Sequence, residues 1–220
     1  MSELGRLIVI EGTDGSGTTT QCQLLVQWLT ESGTPAAGTC EPSSGPIGSL
    51  IRSVLERRLM RSPMQAAEMD WTTLALLFAA DRMDHVMSQI TPALADGCWM
   101  VSDRYDLSSL IYQSVTAPDA DAALSWVRSL NLQARRPDLV IVLDVDPSVA
   151  LRRRQLRGGV EELFERQELQ AKLAAAYRVA EQFAPDDPLV HVDGSGEVKD
   201  VSRRVRDVVE RWFGLARQAG

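Results

Sequence analysis

Near the start of the chain, an aliphatic run is followed by three glycines and then three threonines, an order typical of a phosphate-binding loop. Gly12, Gly17 and Thr19 match the spacing G-x-x-x-x-G-K-[ST]. Glycines let successive backbone N–H groups converge on phosphate oxygens, and the positive end of the following helix dipole adds to the attraction. A Thr19 hydroxyl at this point of the motif is placed to ligate Mg²⁺. We therefore expect phosphate contacts from Gly12, Thr13, Asp14, Gly15, Ser16, Gly17, Thr18, Thr19 and Thr20.

One position departs from the motif, because Thr18 stands where the loop normally has lysine. The lysines of the chain, Lys172 and Lys199, are both far from the loop in sequence. The side-chain charge that normally reaches the β- and γ-phosphates is thus missing. On the loop alone, a glycine-rich turn without a ligand remains an alternative to nucleotide binding, and phosphoryl transfer is undecided.

Two further polar stretches follow predicted strands. Glu41 and Pro42 begin a turn after the second strand, and Asp103-Arg104-Tyr105 follows the third. Ligands of parallel sheets bind beyond the carboxyl ends of the strands. There, Asp103 would offer a carboxylate to Mg²⁺ and Arg104 a guanidinium fork to a phosphate. A salt bridge that merely ends the strand is the alternative.

An arginine-rich segment lies later in the chain. Arg152, Arg153, Arg154 and Arg157 belong to one predicted helix, which two glycines interrupt at residues 158–159. A glycine hinge beside several arginines could close over a polyphosphate. A solvated helix face is the alternative, and it is the ordinary role of such a run of charges.

Five predicted strands alternate with helical patterns, which indicates an α/β fold with a parallel sheet covered by helices on both faces. The strands are Arg6–Glu11, Pro35–Cys40, Cys98–Asp103, Leu139–Asp144 and Leu189–Asp193. Among the predicted helices are Gly45–Leu59, Ala66–Ser88, Asp106–Gln113, Ala120–Ala134, Glu161–Phe183 and Val198–Phe213. The helix predicted over Ala66–Ser88 is more apolar than one buried face requires.

Charge and cysteine content narrow the class of protein. The 220 residues carry a formal net charge of −7, which argues against nucleic acid as a partner and makes any phosphate affinity local. Three scattered cysteines without metal-ligand spacing favour a reducing compartment. No apolar run approaches the length of a membrane span, and no targeting segment is recognisable. We expect a soluble cytoplasmic protein with no membrane partner and a single domain over residues 1–220, with a lid around 152–165.

Taken together, these stretches resemble thymidylate kinases. The matching blocks are residues 10–17, Glu41-Pro42 with 45–48, Leu-Leu-Phe-Ala-Ala-Asp-Arg-Met-Asp-His at 76–85, Asp103-Arg104-Tyr105 with Ser-Ser-Leu-Ile-Tyr-Gln at 108–113, and 137–139 with 143–147. They occur in the family's order across nearly the whole chain. The resemblance implies transfer of the γ-phosphoryl group of ATP to dTMP, giving dTDP for dTTP synthesis, with Mg²⁺ required. It also implies a P-loop kinase fold with a five-stranded parallel sheet and a mobile lid, and a homodimer.

The same resemblance implies a role for each residue of the acceptor site. Phe78 would stack on the thymine ring, Arg82 would reach a base carbonyl oxygen, and Ser109 would contact the ring from the other side. Arg104 would clamp the acceptor monophosphate beside Asp14. The remaining substrate-binding residues would be Glu41, Pro42, Ser108, Tyr112, which packs under the sugar and disfavours a 2′-hydroxyl, and Gln113.

Ordinary structural roles are the alternatives for these side chains. Phe78 could be plain core, Arg82 could pair with Asp81 or Asp84, and Tyr112 could be a packing residue. The family's blocks favour the ligand roles.

The missing lysine matters for mechanism, because phosphoryl transfer depends on neutralising charge on the transferring group. We expect Arg153 or Arg157 to supply another cation, with Arg52 as a second candidate. The candidate catalytic residues are therefore Asp14, Arg104, Arg153 and Arg157, and Thr19 and Asp103 are the candidate metal ligands. Two alternatives stay open: a catalytically silent nucleotide-binding or regulatory protein, and a kinase for another monophosphate such as dUMP.

Overall fold

A parallel sheet of five strands organises the chain, as the computed structural model shows for residues 4–56, 58–59, 69–157, 164 and 167–215. Its strands are β1 (Leu7–Glu11), β2 (Ala36–Cys40), β3 (Trp99–Asp103), β4 (Leu139–Asp144) and β5 (Leu189–Asp193). They lie in the order β2–β3–β1–β4–β5, and every neighbouring pair is parallel. The predicted α/β fold class and all five predicted strands are confirmed.

Alternation along the central strands divides the core into two clusters. Leu7 and Val9 face one side of the sheet, while Ile8 and Ile10 face the other, because successive strand side chains point in opposite directions. All four are buried, as expected for a parallel sheet covered on both faces. The two helical layers therefore pack on a sheet that is apolar on both sides.

The helices cover both faces and connect the strands. They are α1 (Thr18–Glu31), α2 (Pro46–Leu55), α3 (Trp71–His85), α4 (Thr91–Ala95), α5 (Asp106–Thr116), α6 (Ala120–Leu130), α7 (Pro147–Arg157), α8 (Gln167–Tyr177), α9 (Ala180–Phe183) and α10 (Val198–Phe213). A π-helical turn, Val86–Ile90, joins α3 directly to α4. Among these described residues, no helix has the length and apolar character that crossing a membrane demands.

Several helix predictions need correction. The helix predicted over Ala120–Ala134 ends at Leu130, and the one predicted over Asp106–Gln113 continues to Thr116. The helix predicted over Gly45–Leu59 ends at Leu55. The one predicted over Glu161–Phe183 is divided into α8 and α9 in its described part, which begins at Gln167. Of the segment predicted as helical from Ala66, the described helix begins at Trp71, where the Asp70 carboxylate accepts the Thr72 N–H as an N-cap.

Strand register brings the polar strand ends to one edge of the sheet. Asp103 is paired with Ile10 of β1 and with Cys40 of β2. The residues that follow these strands therefore meet above the central part of the sheet, where ligands of such folds bind. Half of the predicted lid around 152–165 lies outside the described residues, since only 152–157 and 164 are described.

Candidate active site

The phosphate loop has the backbone that its glycines allow. Gly17 adopts φ +100° immediately before α1 begins at Thr18. Gly15 has φ +88°, and a Cβ there would lie 2.4 Å from the Ala150 carbonyl oxygen of α7. Both φ angles are strained for any residue other than glycine. The loop and α7 are thus packed together more closely than a side chain at Gly15 would permit.

An open cavity of about 1080 Å³, including its mouth, lies over this loop. It is lined by Asp14, Gly15, Gly17, Thr18, Thr19, Thr20, Asp103, Arg104, Arg153 and Arg154. Gly12, Thr13 and Ser16 are buried and are not among the lining residues. The cavity combines loop backbone, the start of a helix and three arginines, a chemistry suited to a polyphosphate.

The two predicted metal ligands lie side by side. The Thr19 hydroxyl donates to Asp103 Oδ2 at 2.5 Å, and Asp103 Oδ1 is buried without a hydrogen-bond partner among the described residues. No cluster of three or more His, Cys, Asp or Glu side chains in the described part of the chain could enclose a metal ion. Mg²⁺ commonly binds through one or two protein oxygens, waters and substrate phosphates, so this pair fits it.

A second cavity, of about 610 Å³ including its mouth, adjoins the first. Its lining residues are Asp14, Glu41, Pro42, Leu55, Phe78, Arg82, Arg104, Tyr105, Ser108, Ser109, Tyr112, Gln113 and Phe164. Asp14 and Arg104 line both cavities. All ten residues expected at the substrate site therefore lie around one cavity, and the phosphate loop borders it.

Arg104 stands at the junction of the two cavities. Its Nη2 donates to Asp14 Oδ1 at 2.5 Å, and its Nη1 lies 3.2–3.3 Å from the hydroxyls of Ser108, Tyr112 and Tyr177. The residue adopts φ +71°, a left-handed conformation uncommon for a side chain of this size and more often seen at functional sites. Its guanidinium is fixed in place before any ligand arrives.

Beneath Arg104, the Glu11 carboxylate is completely buried. It accepts hydrogen bonds from the backbone N–H groups of Tyr105 and Ser108, and from the hydroxyls of Ser108 and Tyr177. Burial raises the pKa of Glu11 from 4.5 to about 7, although the neighbouring Arg104 charge and these hydrogen bonds favour the ionised form. Glu11 therefore holds the strand end, the start of α5 and α8 around one carboxyl group.

Arg82 is held by a second buried network. Its Nε and Nη2 donate to Glu41 Oε2 at 2.9 and 2.6 Å, its Nη1 donates to Asn131 Oδ1, and its Nη2 also donates to Ser109 Oγ. The guanidinium stacks over Tyr105 at 5.1 Å. Its ion pair is thus with Glu41, not with the neighbouring aspartates on α3.

Asp81 and His85 support this network from the same helix. Asp81 accepts hydrogen bonds from the Ser43 N–H and hydroxyl at 2.7 and 2.6 Å, which fixes the turn after β2. The His85 ring lies between Glu41 Oε1 and Thr39 Oγ1 and is buried. Both residues therefore act on the turn that carries Glu41.

The wall of the second cavity also contains aromatic and amide groups. Phe78 is half-buried, and Phe164 packs edge-on against Tyr112 with ring centroids 5.2 Å apart. Both amide atoms of Gln113 are buried and have no hydrogen-bond partner among the described residues. An unpaired buried amide is costly, and its presence in a cavity wall suits a site that bonds a ligand.

The arginines considered as replacements for the lysine lie in different places. Arg153 donates to the carbonyl oxygens of Ser16, Gly194 and Gly196. Arg52 donates to the Pro42 carbonyl and the Ser49 hydroxyl, away from the phosphate loop. The side chain of Arg157 lies outside the described residues. Of the two whose side chains are described, Arg153 lines the loop cavity and Arg52 does not.

Several residues of the site were not expected from the sequence. Glu11 was part of the loop motif without an assigned role, and Asn131, Gln170 and Tyr177 were not considered. Gln170 Nε2 donates to Asp14 Oδ2 at 2.8 Å. Gln170 and Tyr177 are seven residues apart, so they share one face of α8. The sequence signal that could have identified them is the presence of two polar residues on an otherwise apolar helix face.

A parallel sheet with a phosphate loop at its carboxyl edge and a second polar cavity beside that loop defines a P-loop nucleoside monophosphate kinase fold. The family model for thymidylate kinase matches residues 10–205. A probable thymidylate kinase of Pyrococcus horikoshii is 42% identical over 180 residues, covering 81% of this chain and 84% of that protein. The thymidylate kinase of Caldicellulosiruptor saccharolyticus is 35% identical and covers 94% and 96%. The chain belongs to the thymidylate kinase family.

Solved structures agree with this assignment. The structure of a thymidylate kinase from Candida albicans matches this fold with a TM-score of 0.78 and 25% identity, covering 96% of this chain and 93% of that one. The expected family, fold and enzyme class, a phosphotransferase that uses a nucleotide donor, are confirmed.

Proposed function

We propose that this protein transfers the γ-phosphoryl group of ATP to the 5′-phosphate of dTMP. A phosphate oxygen of dTMP forms a bond to Pγ, the bond from Pγ to the β,γ-bridging oxygen breaks with its electron pair going to ADP, and the products are dTDP and ADP. The observation that carries the proposal is that Asp14 and Arg104 line both cavities. Donor and acceptor bound in the two cavities would meet at these residues.

Arg104 is proposed to bind the acceptor phosphate. A guanidinium offers a planar fork of donors suited to phosphate oxygens. The bond to Asp14 and the three hydroxyls around Nη1 hold that fork in a fixed position. A group fixed before binding loses little entropy when the substrate arrives, so orientation contributes directly to rate.

Thymine recognition is proposed to depend on Phe78, Arg82 and Gln113. Phe78 offers an aromatic face for stacking, and Ser109 lies across the cavity on α5. Arg82 is fixed by Glu41 and is placed to donate to a base carbonyl oxygen. The unpaired Gln113 amide carries a donor and an acceptor, which matches the N3–H and carbonyl groups of thymine.

The deoxyribose is proposed to lie against Tyr112. The Tyr112 hydroxyl lies 3.3 Å from both Asp14 Oδ2 and Arg104 Nη1. These contacts hold the ring at the boundary between the base and phosphate parts of the cavity. A ring fixed there leaves little room for a 2′-hydroxyl.

The donor is proposed to bind the loop cavity as the Mg²⁺ complex of ATP. Backbone N–H groups of the loop and the start of α1 would contact its phosphates. Thr19 and Asp103 would hold Mg²⁺, which would neutralise charge on the phosphate oxygens. The cation that replaces the loop lysine is proposed to come from the arginines of α7, for which the sequence suggests Arg153 and Arg157.

We also propose a single domain, a homodimer and a cytoplasmic location. Leu76 on α3 and Met87 on the following turn are 50% and 66% exposed, and such apolar side chains suit a contact with a second copy. Free cysteines at 22, 40 and 98 suit a reducing compartment. Sedimentation of the protein and of Leu76→Glu would test the dimer, since the variant is expected to be monomeric.

A steady-state assay with Mg²⁺ and ATP tests the proposed activity, with dTMP compared against dUMP, dCMP and dGMP. We expect fast turnover with a preference for dTMP. Turnover at background with dTMP still bound in calorimetry would contradict the proposal and favour a silent binding protein. Faster turnover of dUMP than of dTMP would overturn the substrate assignment. The dUMP comparison is needed because the two substrates differ by one methyl group, which contributes only about 1–3 kcal/mol of discrimination.

A further inference from the structure

We propose that Arg154 supplies the positive charge that the phosphate loop lacks at Thr18. This inference rests on the proposed function. Arg154 lines the loop cavity, and it is 9% exposed although it belongs to an arginine-rich helix. A charge run on a solvated face would leave its arginines in water. Arg152, two residues earlier, is exposed in this way.

The position of Arg154 along the loop is the first argument. Its Nη1 donates to the Asp14 carbonyl oxygen at 2.7 Å, and its Cγ would lie 3.0 Å from a Cβ at Gly15. Asp14 belongs to both cavities, so the boundary between donor and acceptor lies beside it. The transferred phosphoryl group must pass that boundary. Arg154 is therefore held at the end of the donor cavity where the γ-phosphate has to be.

Arg153 is held on the other side of the loop. Its guanidinium donates to the Ser16 carbonyl and to the carbonyls of Gly194 and Gly196, which follow β5. In the sheet, β5 lies beyond β4 and away from β3, the strand that leads to Arg104. Three carbonyl acceptors tether Arg153 at the part of the loop farther from the acceptor. It is better placed for the inner phosphates than for the one transferred.

A hydrogen-bonded chain joins Arg154 to the acceptor clamp. Arg154 Nη1 also donates to Gln170 Oε1 at 3.1 Å, Gln170 Nε2 donates to Asp14 Oδ2, and Asp14 Oδ1 accepts from Arg104. Asp14 thus has one arginine on the donor side and another on the acceptor side. Among the described residues, Arg154 makes two hydrogen bonds, both through Nη1, and none through Nη2 or Nε. Those donors form the part of the fork that would face a phosphate.

Turnover of four variants tests the proposal. We expect Arg154→Ala to lower kcat by about a hundredfold or more, the usual effect of removing one preorganised donor from a developing charge, with little change in KM for dTMP. Arg154→Lys should retain part of the rate. Thr18→Lys in the Arg154→Ala background should restore most of it, because a lysine there provides a cation from the loop itself. The matched control is Arg152→Ala, on the exposed side of α7, which should keep the wild-type rate.

Binding separates the loss of this charge from a merely structural effect and from failure of the proposed activity. Calorimetry with β,γ-imido-ATP and with ADP should show that Arg154→Ala lowers the affinity for the triphosphate analogue by about tenfold or more. The affinity for ADP should fall by less than about threefold. This comparison needs no turnover, so it tests Arg154 even if the wild-type protein is inactive on dTMP. Equal weakening of both nucleotides would overturn the proposal.

Three further results would also overturn it. The first is an Arg154→Ala rate within about threefold of the wild-type rate. The second is loss of dTMP binding in Arg154→Ala, which would assign the residue to support of Asp14. The third is a Thr18→Lys, Arg154→Ala double variant that binds dTMP normally but stays as slow as Arg154→Ala.

Discussion

The two cavities are built from different material. The second cavity, which we propose as the acceptor cavity, is walled by charged and polar side chains that bond to one another, as in the networks around Arg82 and Arg104. The loop cavity, which we propose as the donor cavity, is built mainly from the backbone of the loop and the start of α1, and arginines of α7 also line it. Backbone N–H groups contact phosphate whatever the side chains are. The loop cavity therefore depends less on any one side chain than the second cavity does, which fits our proposal that another residue supplies the cation missing at Thr18.

Burial explains the rigidity of the acceptor side. Arg82 and Glu41 are almost inaccessible to solvent, and Glu11 is completely so. Removing one partner from such a pair leaves an uncompensated buried charge, which typically costs about 3–5 kcal/mol. Substitutions of these buried charged residues should therefore impair both folding and binding, whereas substitutions in the loop cavity should mainly impair the reaction.

The largest effect is expected for Arg104→Met. The variant loses the acceptor clamp and leaves Asp14 without its ion pair, so kcat/KM for dTMP should fall by about a thousandfold or more, while ADP binding to the loop changes little. Steady-state kinetics and calorimetry measure the two effects. Arg203→Ala, on the exposed side of α10, is the control. A kcat/KM within tenfold of the wild-type value would contradict the role of Arg104.

A smaller effect is expected from the pKa of Glu11. Because this pKa rises from 4.5 in the unfolded chain to about 7, the native state binds the extra proton between these values. The contribution of Glu11 to stability is therefore full below about pH 4.5 and is lost as the pH rises through about 7. At about 1.4 kcal/mol per pKa unit, the free energy of unfolding should change by about 3 kcal/mol.

Glu11→Gln isolates this effect, because the variant keeps the other titrating groups. Urea unfolding of both proteins from pH 5 to pH 8 gives the difference in unfolding free energy at each pH. The wild-type protein should lose stability relative to Glu11→Gln as the pH rises. A difference independent of pH would show that Glu11 titrates at its ordinary pKa.

The smallest effect is expected for Gln113→Leu, which separates ligand binding from folding within the acceptor cavity. Since the Gln113 amide has no partner among the described residues, its removal should leave thermal stability unchanged or raise it. The affinity for dTMP should nevertheless fall by about tenfold, as expected for the loss of hydrogen bonds to the base. A stability loss with unchanged dTMP affinity would make Gln113 a structural residue.

Most of the sheet could be predicted from the sequence, because each strand is a short aliphatic run bounded by polar or turn residues. The predicted and observed strands differ by at most one residue at either end. Helix ends were less predictable: α2 stops at Leu55 although the helical pattern continues to Leu59. Propensity gives weak signals at helix ends, which depend on caps and tertiary packing.

The acceptor site was predictable where its residues lie in contiguous motifs, as for Arg82, Arg104 and Gln113. Tyr177 and Gln170 were missed because α8 reaches the site through tertiary packing against α5, α7 and β4, which no local pattern indicates. The place of Arg154 was likewise missed. The sequence shows a run of arginines, and only the close approach of α7 to Gly15 shows that Arg154 lies against the loop.

The most direct test of the central claim is the binding of one molecule that spans both cavities, adenosine and thymidine joined 5′ to 5′ by a polyphosphate bridge. If the cavities meet at Asp14 and Arg104 as donor and acceptor sites, calorimetry should show one equivalent bound, and kinetics should show competition with both ATP and dTMP. Competition with only one of the two substrates would contradict the account, because the two cavities would then not be halves of one active site.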